Sequence, residues 1–236
     1  MQYIFDRIVN KAIQKSQSAK VSKLKIRTWS PDITISRDPG SGGRIIAQKI
    51  AKKLGWQLFD KSLVIELAQE LGLPEDEIIH IDEHGRSWFA DFFQSIFNPD
   101  YVSDIRYISH LKKLLSHAAK KGDLVILGHG ANIILPPDKC LRVRITANRD
   151  TRITNTFKYE HFDTKEEATL AVDKAQNKYN QFIRQYFGTN PHNPWNYDLV
   201  ISTDHLTLDQ ATDLIIQAYL AKFPSEKRKL KSKLSK

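Results

Sequence analysis

The chain has 236 residues, which is long enough for one large domain with a substantial core. Its 41% hydrophobic and 27% charged residues are typical of a globular protein, and its single cysteine excludes an internal disulfide framework. No apolar run has the length of a membrane span, and the N-terminus lacks the pattern of a secretory signal, so we expect a cytoplasmic location.

The net charge of +9 belongs to the two ends of the chain. Residues 1–27 carry +6 and residues 225–236 carry +5, while the remainder is nearly neutral at −2. Basic tails are more often solubilising than sequence-reading, so they only weakly predict binding to nucleic acid or to an acidic surface. We therefore divide the chain into a basic amphipathic helix with a linker (1–30), a folded domain (31–224) and a basic tail (225–236).

Strands and helices alternate along the predicted folded domain. The hydrophobic spacing predicts strands at 33–36, 56–59, 124–127, 140–145 and 197–202, and helices at 44–54, 62–71, 101–121, 149–159, 165–186 and 208–223. Because the strands are apolar throughout, this order indicates a parallel sheet that is covered by helices on both faces. Polar residues that follow such strands are expected to meet at one edge of the sheet, where ligands bind.

A glycine-rich turn joins the first strand to the first of these helices. It reads Arg-Asp-Pro-Gly-Ser-Gly-Gly-Arg over 37–44, a composition that brings backbone amides and a helix N-terminus close to a phosphate group. Compared with the P-loop pattern G-x-x-x-x-G-K-[ST], Arg37 stands at the first glycine, Gly43 at the lysine and Arg44 at the Ser/Thr. A tight packing turn with no ligand is the alternative interpretation.

Several segments resemble the cytidylate kinase-like family, a branch of the P-loop nucleoside monophosphate kinases. They are Ile-Thr-Ile-Ser-Arg at 33–37, Gly-Ser-Gly-Gly-Arg at 40–44, Val-Ile-Leu-Gly-His-Gly-Ala at 125–131 and Tyr-Asp-Leu-Val-Ile-Ser-Thr at 197–203. The resemblance covers roughly residues 31–223. It implies a three-layer α/β fold of the P-loop kinase type with a helical lid, ATP and Mg²⁺ as cofactors, and a cytidylate-like acceptor. It also implies that a glycine in place of the P-loop lysine is normal for the family.

The resemblance also implies which residues form the site, and it assigns no protein ligand to the metal. The phosphate-binding set is Arg37, Gly40, Ser41, Gly42, Gly43 and Arg44, with Arg44 as the main cation. The acceptor side would contain Asp60, His129 and Asp173, which is also the lid aspartate by position, and Arg152 would stand at the entry to the lid. Arg184 lies 11 residues after Asp173 on the same predicted helix, and this spacing suits it to replace the family's lid arginine. Asp60 is equally well explained as the N-cap of the next helix, and His129 as a packed loop histidine.

These assignments predict an ATP-dependent kinase that transfers a phosphoryl group to a nucleoside monophosphate-like acceptor. Two departures from the family pattern leave its activity open, because His129 and Gln176 stand where the family has arginines that suit phosphate. The alternative is a degenerate P-loop module that binds a nucleotide without turnover and acts as an interaction or regulatory domain. A homo-oligomer stays open on either interpretation.

Overall fold

The computed structural model describes residues 30–59, 112, 115, 116, 118–120, 122–160, 162–227 and 230. The predicted N-terminal helix, Asp60, the predicted helix at 62–71 and most of the basic tail lie outside these residues. Within the described part of the chain, no helix combines the length and the apolar character needed to cross a membrane. Elements are numbered below within this described part.

The described residues form one five-stranded parallel sheet with the strand order β2-β3-β1-β4-β5. Its strands are β1 (Asp32–Arg37), β2 (Gln57–Phe59), β3 (Leu124–Leu127), β4 (Cys140–Thr146) and β5 (Leu199–Ser202). The helices are α1 (Gly43–Leu54), α2 (Ala131–Ile134), α3 (Arg149–Tyr159), α4 (Lys165–Phe187) and α5 (Leu208–Lys222). The predicted fold class is confirmed: helices cover both faces of a parallel sheet.

Two apolar clusters show how the helices are distributed over the faces. One face packs Ile33, Ile35 and neighbouring strand residues against α1 and α5, and every one of these β1 side chains is essentially buried. The opposite face packs Ile126 and Phe59 against α2 and α4. Because successive strand side chains point to opposite faces, a continuous apolar run such as β3 supplies both layers, and all four of its residues are buried.

Strand β1 is the central strand, which places the turn after it in the middle of the sheet's carboxyl edge. Ile35 pairs with Leu127 of β3 on one side and with Val143 of β4 on the other. The predicted elements that lie within the described residues are reproduced within one or two residues at their ends. Most of the predicted helix 101–121 lies outside the described residues. The last strand is shorter than predicted and begins at Leu199, because the backbone at Tyr197 still closes the short 3₁₀ turn Pro194–Asn196.

Candidate functional site

The glycine turn lies between β1 and α1 and is held in shape from within. Gly40 and Gly42 have φ angles of 77° and 79°, the left-handed region that favours glycine, and Gly42 is the N-cap of α1. Ser41 is fully buried, and its hydroxyl donates to the Asp38 carbonyl at 2.8 Å. Ser41 therefore has a structural role in addition to its predicted one, because its side-chain hydrogen bond stabilises the turn.

A cavity of about 420 Å³ opens above this turn. Its walls come from the turn, the first two turns of α1 and the C-terminal half of α3. Of the predicted phosphate-binding residues, all except the buried Ser41 line this cavity; its charged lining residues are Arg37, Asp38, Arg44 and Glu160. The structure thus brings the predicted glycines and both predicted arginines to one place.

Glu160 is a cavity residue that the sequence analysis missed. Burial raises the pKa of its carboxyl group to about 7, and the nearby Arg44 guanidinium opposes that shift. A carboxylic acid that titrates near neutral pH beside a cation changes the charge of the cavity within the physiological range. The only signal in the sequence was its position directly after the predicted helix 149–159, in the segment that leads to the next predicted helix.

Beneath the turn lies a buried polar network that the sequence analysis also missed. Arg144, in the middle of β4, donates to the Asp38 carboxylate at 2.6 Å, and both side chains are about 5% exposed or less. The Thr146 hydroxyl donates to the second oxygen of Asp38 at 2.5 Å. Both carboxylate oxygens of Asp38 therefore accept hydrogen bonds from β4. The role of Asp38 is structural, because these bonds hold the start of the turn against that strand.

The same guanidinium reaches the far side of the network. Arg144 Nη2 lies 3.1 Å from Nδ1 of His192, and its other terminal nitrogen donates to the hydroxyls of Tyr179 and Tyr197 at 3.3 and 3.4 Å. Burial, reinforced by the charge of Arg144, lowers the pKa of His192, so its ring is neutral at pH 7 and accepts from the guanidinium. The signal available in the sequence was the alternation of Arg142 and Arg144 with apolar residues along β4.

The helical pair α3–α4 carries the residues predicted for the lid. Arg149 forms a two-pronged ion pair with Asp173, with contacts of 3.0 and 2.6 Å, and both side chains are about half exposed. Arg152 donates to Gln176 at 2.9 Å, and the Gln176 amide donates onward to Asn180 at 3.0 Å. Arg184 lies in the last turn of α4 and is exposed. Helix α3 contacts the glycine turn through Asn155, whose side chain donates to the Gly40 carbonyl at 3.0 Å. The lid roles of Arg152, Asp173 and Arg184 stay predictions.

Gln176 has a clear structural function in this arrangement. Its oxygen accepts from Arg152, which an arginine at the same position could not do, because two guanidinium groups would then face each other. The glutamine at position 176 is thus matched to Arg152 on the neighbouring helix.

His129 follows β3 at the same edge of the sheet as the glycine turn. It has a φ of 58°, is 9% exposed, and packs its ring edge-on against Phe59 with centroids 6.0 Å apart. It is not among the residues that line the cavity. Asp60, which directly follows Phe59, lies outside the described residues, so the structure leaves the acceptor side of the prediction untested.

Comparison with known proteins shows the family to which the chain belongs. The model of the cytidylate kinase-like family matches residues 32–205. The chain belongs to this family. The match begins at the first residue of β1 and runs beyond β5, so it includes the glycine turn, the buried network and the α3–α4 pair.

The similar proteins given below are distant from this chain in sequence. A cytidylate kinase from Pyrobaculum aerophilum is 24% identical over 180 residues, which are 76% of this chain and 87% of that protein. A cytidylate kinase from Methanopyrus kandleri is 23% identical over 193 residues, covering 78% and 90%. Among solved structures, an uncharacterized protein from Eubacterium ventriosum is 25% identical with a TM-score of 0.60, and it covers 81% of this chain and 99% of its own.

Proposed function

We propose that the protein is an ATP-dependent phosphotransferase that moves the γ-phosphoryl group of ATP to a nucleoside monophosphate-like acceptor. Family membership supports a nucleotide kinase-like function, and relatives that match most of the chain are named cytidylate kinase. The observation that carries the proposal is the cavity itself. Backbone amides at the N-terminus of α1 and two arginines converge there at the carboxyl edge of the sheet.

The donors around the cavity fit a triphosphate. Gly42, Gly43 and Arg44 offer amides at the start of α1, where the helix dipole favours negative charge. Within the described residues, the hydroxyl of Thr156 is buried at the cavity wall without a hydrogen-bond partner, and it is a further donor that a ligand would satisfy. Phosphoryl transfer depends mainly on positioning and on neutralising charge, which is what such a set of donors provides.

Magnesium fits this site as part of the substrate. In the described part of the chain, no three His, Cys, Asp or Glu side chains are grouped to hold a metal ion. Mg²⁺ commonly keeps its waters and binds through substrate phosphates with one or two protein ligands. ATP would accordingly arrive as its magnesium complex, and the protein residues would hold its phosphate oxygens.

The remaining predicted residues have supporting roles in this proposal. Asp60 and His129 would lie on the acceptor side, since both follow strands that end at the edge where the cavity opens. Arg152, Asp173 and Arg184 would act from the α3–α4 pair when it closes over the nucleotide. Closure would exclude water from the phosphates, which protects the γ-phosphoryl group from hydrolysis.

A second function has its own supporting observations. Position 129 holds a histidine that packs against Phe59, and position 176 holds a glutamine that accepts a hydrogen bond from Arg152. Neither of these two positions therefore presents an arginine to a phosphate. A module that binds a nucleotide without turning it over, as an interaction or regulatory domain, is consistent with both.

A coupled assay separates the two functions. ADP formation from ATP is measured with each nucleoside monophosphate in turn, at high protein concentration, and ATP binding is measured by calorimetry. Acceptor-dependent ADP formation is the expected result. Clear ATP binding without turnover on any acceptor would replace the kinase with the binding module.

A further inference from the structure

Arg37 occupies the space that a side chain at position 43 would need. If Gly43 carried a Cβ atom, that atom would lie 2.6 Å from the Cβ of Arg37 and 3.0 Å from its Cγ. Real Cβ atoms essentially never show a contact of 2.6 Å, so the stem of Arg37 leaves no room for a side chain at position 43. In the pattern G-x-x-x-x-G-K, position 43 is the lysine and position 37 is the first glycine. The two positions have exchanged large and small residues.

The far end of the same side chain meets a second glycine. A Cβ on Gly128 would lie 2.5 Å from Nη1 of Arg37. Gly128 follows β3, the strand beside β1, and its amide donates to the Ile35 carbonyl at 2.8 Å. The guanidinium therefore lies across the carboxyl ends of β1 and β3, with glycine beneath it at both ends of the side chain.

The position of Arg37 also suits an anion electrostatically. Its side chain is 9% exposed and reaches the wall of the cavity, which Arg44 also lines. Burial, together with repulsion from Arg44, lowers the pKa of Arg37 to about 10, so the group stays protonated at neutral pH. Arg44 repels Arg37 at this cavity, and a multiply charged anion bound between them would offset that repulsion.

We propose that Arg37 performs the task of the missing P-loop lysine and binds the terminal phosphates of a polyphosphate ligand. The cation is supplied from the end of β1 instead of the start of α1, and Gly43 and Gly128 are the glycines that admit it. This inference rests on the proposed function in taking a nucleoside triphosphate as the ligand. It also revises the prediction that Arg44 is the main cation, because Arg44 shares its charge with Glu160 at the cavity wall.

The exchange can be reversed by mutation. Arg37→Gly with Gly43→Lys turns residues 37–43 into a sequence that satisfies G-x-x-x-x-G-K. We would measure the affinity of the wild type, both single variants and the double variant for ATP and for inorganic tripolyphosphate by calorimetry, with melting temperatures alongside. Arg37→Gly is expected to weaken both ligands by about 10- to 100-fold, the loss of one charge-assisted hydrogen-bonding group.

The single and double variants give opposite expectations for position 43. Gly43→Lys alone is expected to weaken binding and lower the melting temperature, because its Cβ collides with Arg37. In the double variant that collision is removed and the lysine provides the cation, so at least about tenfold of the affinity lost in Arg37→Gly should return. Such non-additivity marks two residues that act at one place.

Two further variants test the role of Arg37 even if the substitutions at positions 37 and 43 prevent folding. Arg37→Gln keeps most of the stem and removes the charge, and it should lose affinity with little change in melting temperature. Lys53→Ala is the control, because it removes a charge from the exposed face of the same α1, where Lys53 pairs with Asp213 at 2.6 Å. Its ligand affinities should match those of the wild type.

The outcomes separate this inference from the proposed function. Wild-type affinity in Arg37→Gln, in a protein that binds ATP and turns it over, would overturn the role of Arg37 alone. Arg37-dependent binding of tripolyphosphate in a protein without turnover would overturn the kinase alone. A wild type that binds neither ligand would overturn both, and a double variant as weak as Arg37→Gly would contradict the exchange of positions 37 and 43.

Discussion

At the scale of single residues, Glu160 makes the cavity sensitive to pH. Its pKa of about 7 lies above the ordinary value of 4.5 because the carboxyl group is buried. The native state therefore binds this proton more tightly than the unfolded chain does. The stabilisation is fully present below about pH 4.5 and is lost as the pH rises through about 7. Above pH 7 the charged carboxylate partly neutralises Arg44 and repels phosphate.

We predict that Glu160→Gln removes a pH dependence from nucleotide binding. Between pH 6 and pH 8 the wild type should lose ATP affinity relative to the variant by several-fold, because only the wild type gains a negative charge beside Arg44. ATP itself titrates in this range, but it does so equally for both proteins, so the ratio of their dissociation constants isolates Glu160. Parallel profiles for the two proteins would show that Glu160 does not face the bound phosphates.

At the scale of elements, the glycine turn is fitted against helix α3. A Cβ on Gly40 would collide with the Arg152 carbonyl and lie 2.7 Å from the Thr156 hydroxyl. The Gly40 carbonyl in turn accepts from the Asn155 side chain at 3.0 Å. A glycine at position 40 is consequently what allows helix α3 to pack directly against the turn.

Gly40→Ala is predicted to destabilise the protein by about 3 kcal/mol, from strain in the left-handed region plus the collision with α3. Gly188→Ala is the matched control. Gly188 has a similar φ of 63° but nothing within 4 Å of its Cβ position, so its cost should stay near 1 kcal/mol. Chemical denaturation measures both values. Equal losses of unfolding free energy in the two variants would mean that α3 shifts to accommodate the added methyl group and does not hold the turn in place.

At the scale of the whole molecule, charge separates the folded domain from its ends. Residues 1–27 and 225–236 hold +11 between them against −2 for the rest. We predict that the full chain binds heparin, a generic polyanion, with a steep salt dependence. This dependence should disappear when residues 1–27 are deleted and the six Lys/Arg of residues 225–236 are replaced by glutamine, a change that keeps the buried Leu230 in the core. ATP affinity should be unchanged in the shortened protein, since the cavity lies within residues 37–160. Salt-dependent retention of the shortened protein would instead place a basic face on the folded domain.

Local patterns were sufficient to predict the sheet, the order of its elements and the glycine turn. The alternation of apolar strands and helices specifies both layers, and the glycines at 40, 42 and 43 mark the turn. Side-chain pairs between distant segments were not predictable in this way. Arg144 and Asp38 are 106 residues apart, and nothing local to either reveals the other. The reason for Gly43 likewise lies in the path of the Arg37 side chain, which only the folded backbone defines.

The central position of β1 in the sheet has a consequence for how the protein folds during synthesis. It is the earliest of the five strands to leave the ribosome, yet both of its neighbours, β3 and β4, are encoded far downstream. Ile33 can pair with Val125 and with Leu141 only after both of these residues have been synthesised. Such non-local pairing slows folding, because long loops must close before any contact is gained. The turn is thus synthesised early and completed late, and a nascent chain that ends before β4 lacks the α3 residues that line the cavity.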